Sequence, residues 1–277
     1  MTTVAIVGAA GNMGTKTYGA LKDDPEYRVL CVESKDGEAK LRERGITPTP
    51  MNEALGEADV AIMTVPDRVV GTVLAQVAPG LKAGAMVMCL DPAGPYAGKL
   101  PDRTDVTYFV THPTHPPLFN DETDAEARRD FFGSGKARQS IVNTLVQGPE
   151  ADYALGEAIA RKMFGPILRS HRVTLAQMAM LEPAMAETVA ATCISVVREA
   201  MDEVVARGVP AEAARDFMLG HVHIELAILF DELDWDFSAG AKLAIAEAKK
   251  AIFQSDWKKV FDRENLKESV ARIVGDA

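Results

Sequence analysis

Val4-Ala5-Ile6-Val7-Gly8-Ala9-Ala10-Gly11-Asn12-Met13-Gly14 stands near the start of the chain, and its reading decides the fold. Four apolar residues run into a glycine, as in a strand covered on both faces. The glycines recur as G-x-x-G-x-x-G, and helical periodicity begins at Met13. Strand, glycine turn and helix in that order make a dinucleotide cradle. Gly8 permits the tight turn, Gly11 lets backbone N–H groups approach a pyrophosphate, and Gly14 lets the helix pack closely on the sheet. Ala10, Asn12 and Met13 belong to the same cradle, where the helix N-terminus adds a field that favours phosphate. Glu33 follows the last glycine by 33 − 14 = 19 residues. An acid there hydrogen-bonds the adenosine ribose hydroxyls. It also repels a 2′-phosphate, so NAD is expected over NADP, although Ser34 and Lys35 beside it could grip a phosphate.

Outward from this unit, apolar runs at 4–8, 27–33, 59–64, 85–90, 106–110, 141–146 and 168–173 alternate with helical stretches at 13–21, 38–44, 68–77 and 151–164. Strands apolar nearly throughout, separated by helices, predict an α/β fold: a Rossmann-type, doubly wound, mostly parallel sheet. After residue 173 the strands stop. Residues 174–206 read as one long helix, apolar most of the way round, which must be buried by other helices or a second subunit. Pro183 should kink it. Gly208 and Pro210 end it, and further helices follow at about 211–232, 239–253 and 263–274. The expected division is a dinucleotide-binding domain over 1–173 and an all-α domain over 174–277, serving substrate binding and homodimerisation. Segment 114–138, with Pro116-Pro117, many acidic residues and Gly133-Ser134-Gly135, reads as a loop or lid.

Composition narrows the function. The chain has 277 residues, 30 Lys+Arg against 40 Asp+Glu, and a formal net charge of −10. Such a surface repels phosphate backbones, so no nucleic-acid partner is expected. A hydrophobic content of 47% with 25% charged residues excludes disordered and fibrous classes. Three cysteines, each inside an apolar stretch, point to reduced thiols and the cytoplasm. No run approaches the ~18 apolar residues of a membrane span, and no basic leader precedes the first strand.

Three further groups carry chemistry. Thr64-Val65-Pro66-Asp67 and Asp91-Pro92-Ala93-Gly94 each follow a strand and face the edge where ligands sit in open α/β sheets. Val65, Pro66, Asp67 and Asp91 are therefore cofactor-side candidates, with Asp67 equally suited to cap the helix at 68. Thr111-His112-Pro113-Thr114-His115-Pro116 follows another strand. Its prolines stiffen the loop, and His112 is a candidate general base or metal ligand, with His115 a second catalytic candidate. Glu182 lies in the most apolar helix beside Pro183. Buried there, its carboxylate needs a partner or a metal; a solvent-facing glutamate is the bland alternative. His221 and Glu225, four apart on one helix face, could add to such a site. Lys136, Arg138, Arg169 and Arg172 could bind a substrate carboxylate, or be plain surface charges.

The glycine turn, Thr64-Val65-Pro66-Asp67 and the helical second half resemble the phosphogluconate and 3-hydroxyacid dehydrogenase superfamily over nearly the whole chain. Two departures are visible. Asp91-Pro92-Ala93-Gly94 replaces the Ser-Gly-Gly substrate loop, and Gln177, Met178 and Glu182 stand where the Lys and Asn of the long helix belong, so a lysine base is not expected. His112-Pro113 is similar to the His-Pro motif of prephenate dehydrogenases. Glu182 resembles the helical metal-binding carboxylates of ketol-acid reductoisomerases. The combination resembles the D-apionate oxidoisomerases. That resemblance implies NAD-dependent oxidation of a small anionic hydroxy acid, a branched aldonate, followed by migration of a carbon group to a 3-oxo acid. It is compatible with a divalent metal, zinc or magnesium, held by His112 and Glu182. A prephenate-like or 3-hydroxyacid dehydrogenase without migration, and a non-catalytic dinucleotide sensor, are the alternatives.

Overall fold

The computed structural model describes residues 1–275. Strands β1 (Thr2–Val7), β2 (Tyr27–Val32), β3 (Val60–Met63), β4 (Met86–Cys89), β5 (Thr107–Pro113), β6 (Gln139–Gln147) and β7 (Ile167–Arg172) form one sheet. Their order is β2-β1-β3-β4-β5-β6-β7. All neighbours are parallel except β5 and β6, where Pro113 opposes Ile141 in an antiparallel ladder. The doubly wound sheet expected from the apolar runs is thus present.

Side chains alternate across the strands and feed two cores. Ala5, Val7, Ala61, Met63 and Val87 point to one face, where Leu55, Leu74 and Val77 cover them. Val4, Ile6, Val60, Ile62 and Met88 point to the other, beneath Leu21, Ile159 and Phe164. The covering residues come from α1 (Asn12–Leu21), α3 (Met51–Glu57), α4 (Asp67–Val77) and α6 (Asp152–Phe164). Between them lie α2 (Lys35–Glu43) and the single turn α5 (Ala93–Tyr96). The sequence patterning does not show α3, a helix of 7 residues with only Ala54 and Leu55 buried.

Thr174 caps the stretch in an extended conformation, and residues 175–206 are helical throughout, but not as one kinked α-helix. After α7 (Leu175–Ala179), Met180–Ala191 widens into a π-helix before α8 (Thr192–Ala206). Pro183 has no N–H to donate, and the wider register accommodates that loss. Among the described residues, this is also the stretch that corrects the expectation about membranes: Leu175–Ala206 is long and apolar enough to cross a bilayer by length and composition. Averaged over a window, its apolar majority outweighs Glu182 and Glu187, which break any uninterrupted run.

The chain falls into two units, Met1–Pro183 with the segment from Leu266 onward, and Ala184–Asn265. The division expected at 173/174 is therefore displaced, and both ends of the helical region belong to the sheet unit. The cause is burial. Met178 joins the core of one sheet face, Ala179 is fully buried, and Leu266 and Val270 of α11 (Arg263–Ile273) are 2% and 0% exposed. The second unit contains α9 (Ala211–Leu229) and α10 (Ala239–Ile252).

Candidate active site

The chain leaves β1 toward β2 and returns to β3 on the other side, so the sheet switches direction between β1 and β3. Ligands bind at such a point, beyond the strand C-termini. The first turn is built for close approach. Gly8 has φ +94°, and a Cβ there would stand 2.9 Å from the Thr64 carbonyl oxygen. A Cβ on Gly14 would lie 2.3 Å from the Gly8 oxygen, so only glycine lets α1 start so near the turn. The Thr64 hydroxyl donates to the Val7 carbonyl at 2.9 Å and ties the β3 loop to the turn.

A cavity of about 430 Å³ opens here, in the range of small-ligand sites. Gly11, Asn12 and Met13 line it, as do Val65, Pro66 and Asp67. Asp91, His112, His115 and Phe132 close it. Glu33 is anchored to the turn: one carboxylate oxygen accepts the Ala10 N–H at 3.0 Å, the other the Ser34 N–H at 2.8 Å. A carboxylate has about four acceptor positions, so ribose hydroxyls can still be served.

His112 ends β5 next to Asp91 at the end of β4. Its Nδ1 stands 2.8 Å from the Leu90 carbonyl oxygen. A carbonyl only accepts, so Nδ1 carries a proton and Nε2 presents a lone pair when the ring is neutral. Glu182 Oε2 lies 3.5 Å from that Nε2, and Asp91 Oδ2 lies 3.7 Å from Nδ1. The three residues bring ligand atoms within 4.8 Å of one another. Burial pushes the Asp91 carboxyl up, and Glu182 adds to it, against the Ala93 N–H and His112. Burial, then Asp91, push Asp67 up as well, with His112 opposing. Among the described residues, no lysine or arginine lines this cavity. Acid side chains facing one imidazole without a cation have the composition of a divalent-metal site.

Two readings change. Asp67 is not a helix cap: Pro66 occupies that position without a side-chain bond, and the Asp67 carboxyl is left to the cavity. Asp91, expected on the cofactor side, also completes the His112–Glu182 set; nothing in its local sequence shows this, because it requires β4 and β5 to be neighbours.

His115 sits at the mouth in a left-handed conformation, φ 59°, with Nδ1 3.2 Å from the Phe132 carbonyl oxygen and its ring against Phe132. The loop behind it is held by Asp130. Burial pushes that carboxyl up, but the backbone N–H groups of Ser134, Ala137 and Lys136 outweigh it and hold it at about 2. Lys136, Arg138 and Arg172 are engaged in ion pairs with Glu126, Glu122 and Glu150, and Arg169 is exposed. His221 and Glu225 lie on α9 in the second unit, where His221 Nδ1 faces the Phe217 carbonyl of its own helix at 2.8 Å.

Comparison with known proteins sharpens this picture. Residues 120–274 match the C-terminal domain of phosphogluconate dehydrogenase (decarboxylating). Residues 1–115 match the NADPH-binding domain of acetohydroxy acid isomeroreductase. The chain is 52% identical over 274 residues to a D-apionate oxidoisomerase from Cupriavidus necator, covering 98% of this chain and 99% of that protein. It is 49% identical over 276 residues to a D-apionate oxidoisomerase from Rhizobium rhizogenes, covering 99% and 100%. A solved structure of a semialdehyde dehydrogenase NAD-binding protein from Cupriavidus necator, in complex with calcium and NAD, superposes with a TM-score of 0.94 at 51% identity, covering 99% of each chain.

Proposed function

The chain belongs to the D-apionate oxidoisomerase family, and from that premise we propose that it oxidises D-apionate with NAD and then moves a carbon group to give a 3-oxo acid. The observation that carries this reading is the convergence of Asp91, His112 and Glu182 beside the dinucleotide turn. Oxidation alone needs a proton acceptor near the cofactor. Migration also needs an electrophile that grips neighbouring oxygens, and a carboxylate–imidazole–carboxylate set suits a divalent cation. The imidazole favours zinc and the hard carboxylates favour magnesium.

When bound, NAD would supply the hydride acceptor, and a divalent cation held by Asp91 and Glu182, with His112 beside them, would supply polarisation of the new ketone. The protein's own groups do the remaining work. The turn at residues 8–14 orients the pyrophosphate with its backbone N–H groups, and Glu33 accepts from the ribose hydroxyls. His112 Nε2 takes the hydroxyl proton as hydride leaves the carbinol carbon. In the second stage the migrating group moves with its electron pair from the adjacent carbinol carbon to the ketone carbon. That carbinol oxygen loses its proton and becomes the new ketone, while the former ketone oxygen gains one. His115 and Phe132 narrow the mouth against water. Nε2 has one lone pair, so taking the proton leaves the cation to Asp91 and Glu182; His112→Ala should then keep its cation affinity, and a loss of that affinity would make Nε2 a ligand instead.

The test follows NADH absorbance and product carbon skeleton by NMR, with D-apionate, NAD and each cation. NADH formation with a rearranged skeleton is expected. An unrearranged skeleton would establish the dehydrogenase alternative, and NAD binding without turnover the sensor.

The acidic chain, net charge −10, supports a partner set without nucleic acid. Large apolar side chains in the second unit support a homodimer through the C-terminal helices rather than a membrane contact: Phe217, Phe230 and Trp235 are 69%, 66% and 67% exposed. Light scattering on the eluted protein should report twice the chain mass, and a monomer refutes it. Three free thiols, Cys31, Cys89 and Cys193, support a cytoplasmic enzyme.

A further inference from the structure

A second cavity, of about 620 Å³, adjoins the first. Asn12 and Phe132 line both. Lys16, Arg44 and Lys162 line the second, and among the described residues no acidic one does. Two of these cations are engaged. Arg44 donates to the Ala10 carbonyl and the Thr15 hydroxyl, and Lys162 to Asp24.

Lys16 is different. Its Nζ is shielded from water and has no hydrogen-bond partner. It stands 4.9 Å from the centroid of Phe132 and 5.3 Å from that of Phe164. Two ring faces answer its charge, but none of its three N–H donors is used. A buried, unsatisfied ammonium weakens a fold unless something else repays the cost. Its position suggests what does. Lys16 lies one turn after Asn12 on the same face of α1. Helical Cα–Cβ bonds tilt toward the N-terminus, so its stem rises toward the turn that opens the first cavity. Phe132, on the exposed 114–138 loop, covers the ammonium.

The first cavity presents Asp67 and Asp91 and no cation of the protein's own, whereas both a hydroxy acid and a dinucleotide bring anionic oxygens. We infer that Lys16 is an anion-binding residue: once Phe132 rotates aside, its ammonium pairs with an oxyanion lodged at the first turn of α1, either the carboxylate of the hydroxy acid or a phosphate of the cofactor. This rests on the reading of the first cavity as a dinucleotide and hydroxy-acid site. Burial pushes the Lys16 ammonium down, with Asp130 opposing, and a bound oxyanion would restore it.

The experiment compares the wild type with Lys16→Met and Lys16→Arg. It measures Kd for NAD by titration, KM for D-apionate, and Tm. Methionine keeps an unbranched apolar stem, one atom shorter, against the rings without the charge. Lys16→Met should weaken one of the two constants by about ten- to a hundredfold, the range of a hydrogen bond to a charged group. Lys16→Arg should recover most of the loss, and the Tm of Lys16→Met should not fall. A shift in KM alone assigns the carboxylate, and a shift in Kd for NAD assigns the phosphate. Unchanged constants in Lys16→Met, or a lowered Tm without rescue by arginine, overturn the inference. If the wild type consumes no D-apionate, the proposed activity fails by itself. Lys16 is then still decided by NAD affinity and by the thermal shift with inorganic phosphate, which should be lost in Lys16→Met if the inference holds.

Discussion

Replacing Glu182 by Gln should stabilise the metal-free protein and shrink the further stabilisation that a cation adds. Placing the Asp91 and Glu182 charges 4.8 Å apart gives a repulsion of about 3.5 kcal/mol at an effective dielectric of about 20. Their side chains are 29% and 26% exposed and share an imidazole, which reduces this to roughly 1–2 kcal/mol. The amide keeps the shape and removes the charge, so the metal-free variant should melt about 2–4 °C higher. With a cation at a hundredfold excess over Kd, the wild type gains about 2.7 kcal/mol. Losing one carboxylate weakens affinity by at least about tenfold, so the variant gains only about 1.4 kcal/mol at the same concentration. Thermal melts after chelation, and again with magnesium, zinc and calcium, give both numbers. A metal-free variant that melts below the wild type, or an equal cation-induced shift in both proteins, refutes the assignment of these carboxylates to one cation.

His112→Ala should lower kcat by about 10²–10⁴-fold with NAD affinity unchanged; cation titration of the same variant shows whether Nε2 was a ligand, and wild-type turnover would end its role. Glu33→Ala should weaken NAD binding and narrow the gap to NADP, since the carboxylate that repels a 2′-phosphate is gone; an unaltered preference in fluorescence titrations counts against Glu33 as the selector. Asp130 has a folded pKa below the ordinary carboxylate value, so its stabilisation is complete above that value and is lost as pH falls toward about 2. Loop 114–138 should therefore become protease-sensitive in acid in the wild type and at neutral pH in Asp130→Asn; equal neutral-pH cleavage of both proteins refutes this. Gly8→Ala should abolish NAD binding, because a Cβ would meet the Thr64 carbonyl oxygen at 2.9 Å where φ is +94°; native-like affinity would show that the turn can relax.

The strands were readable because residues such as Val4–Val7 and Val60–Met63 are buried on both faces, which leaves uninterrupted apolar runs. Glycine spacing and the offset of Glu33 point to the strand ends where the first cavity opens and where Glu33 accepts the Ala10 N–H. What escaped the sequence depends on neighbours in space. Asp91 meets His112 only because β4 and β5 pair, and Glu182 lies 70 residues beyond His112 in the chain. Met180–Ala191 has an ordinary helical pattern, and its π register depends on backbone hydrogen bonding that side-chain identities do not encode directly. Lys16 belongs to no motif, and the rings beside it, Phe132 and Phe164, are distant in sequence. Apolar periodicity in 174–183 is the same whether it faces a sheet or another helix, so the grouping of that stretch with the sheet unit is not legible in it.

The antiparallel β6 has a consequence for how such enzymes diversify. Because Pro113 opposes Ile141, the chain between them departs from and returns to the same edge of the sheet. The 114–138 excursion is thus a cassette with fixed sockets: its length and composition can change without shifting any strand or the cradle at residues 8–14. Grafting the corresponding segment of a related protein would exchange the side of the first cavity that carries His115 and Phe132 and leave the glycine turn intact, so a new pocket could arise at this position by replacing a single contiguous stretch of gene.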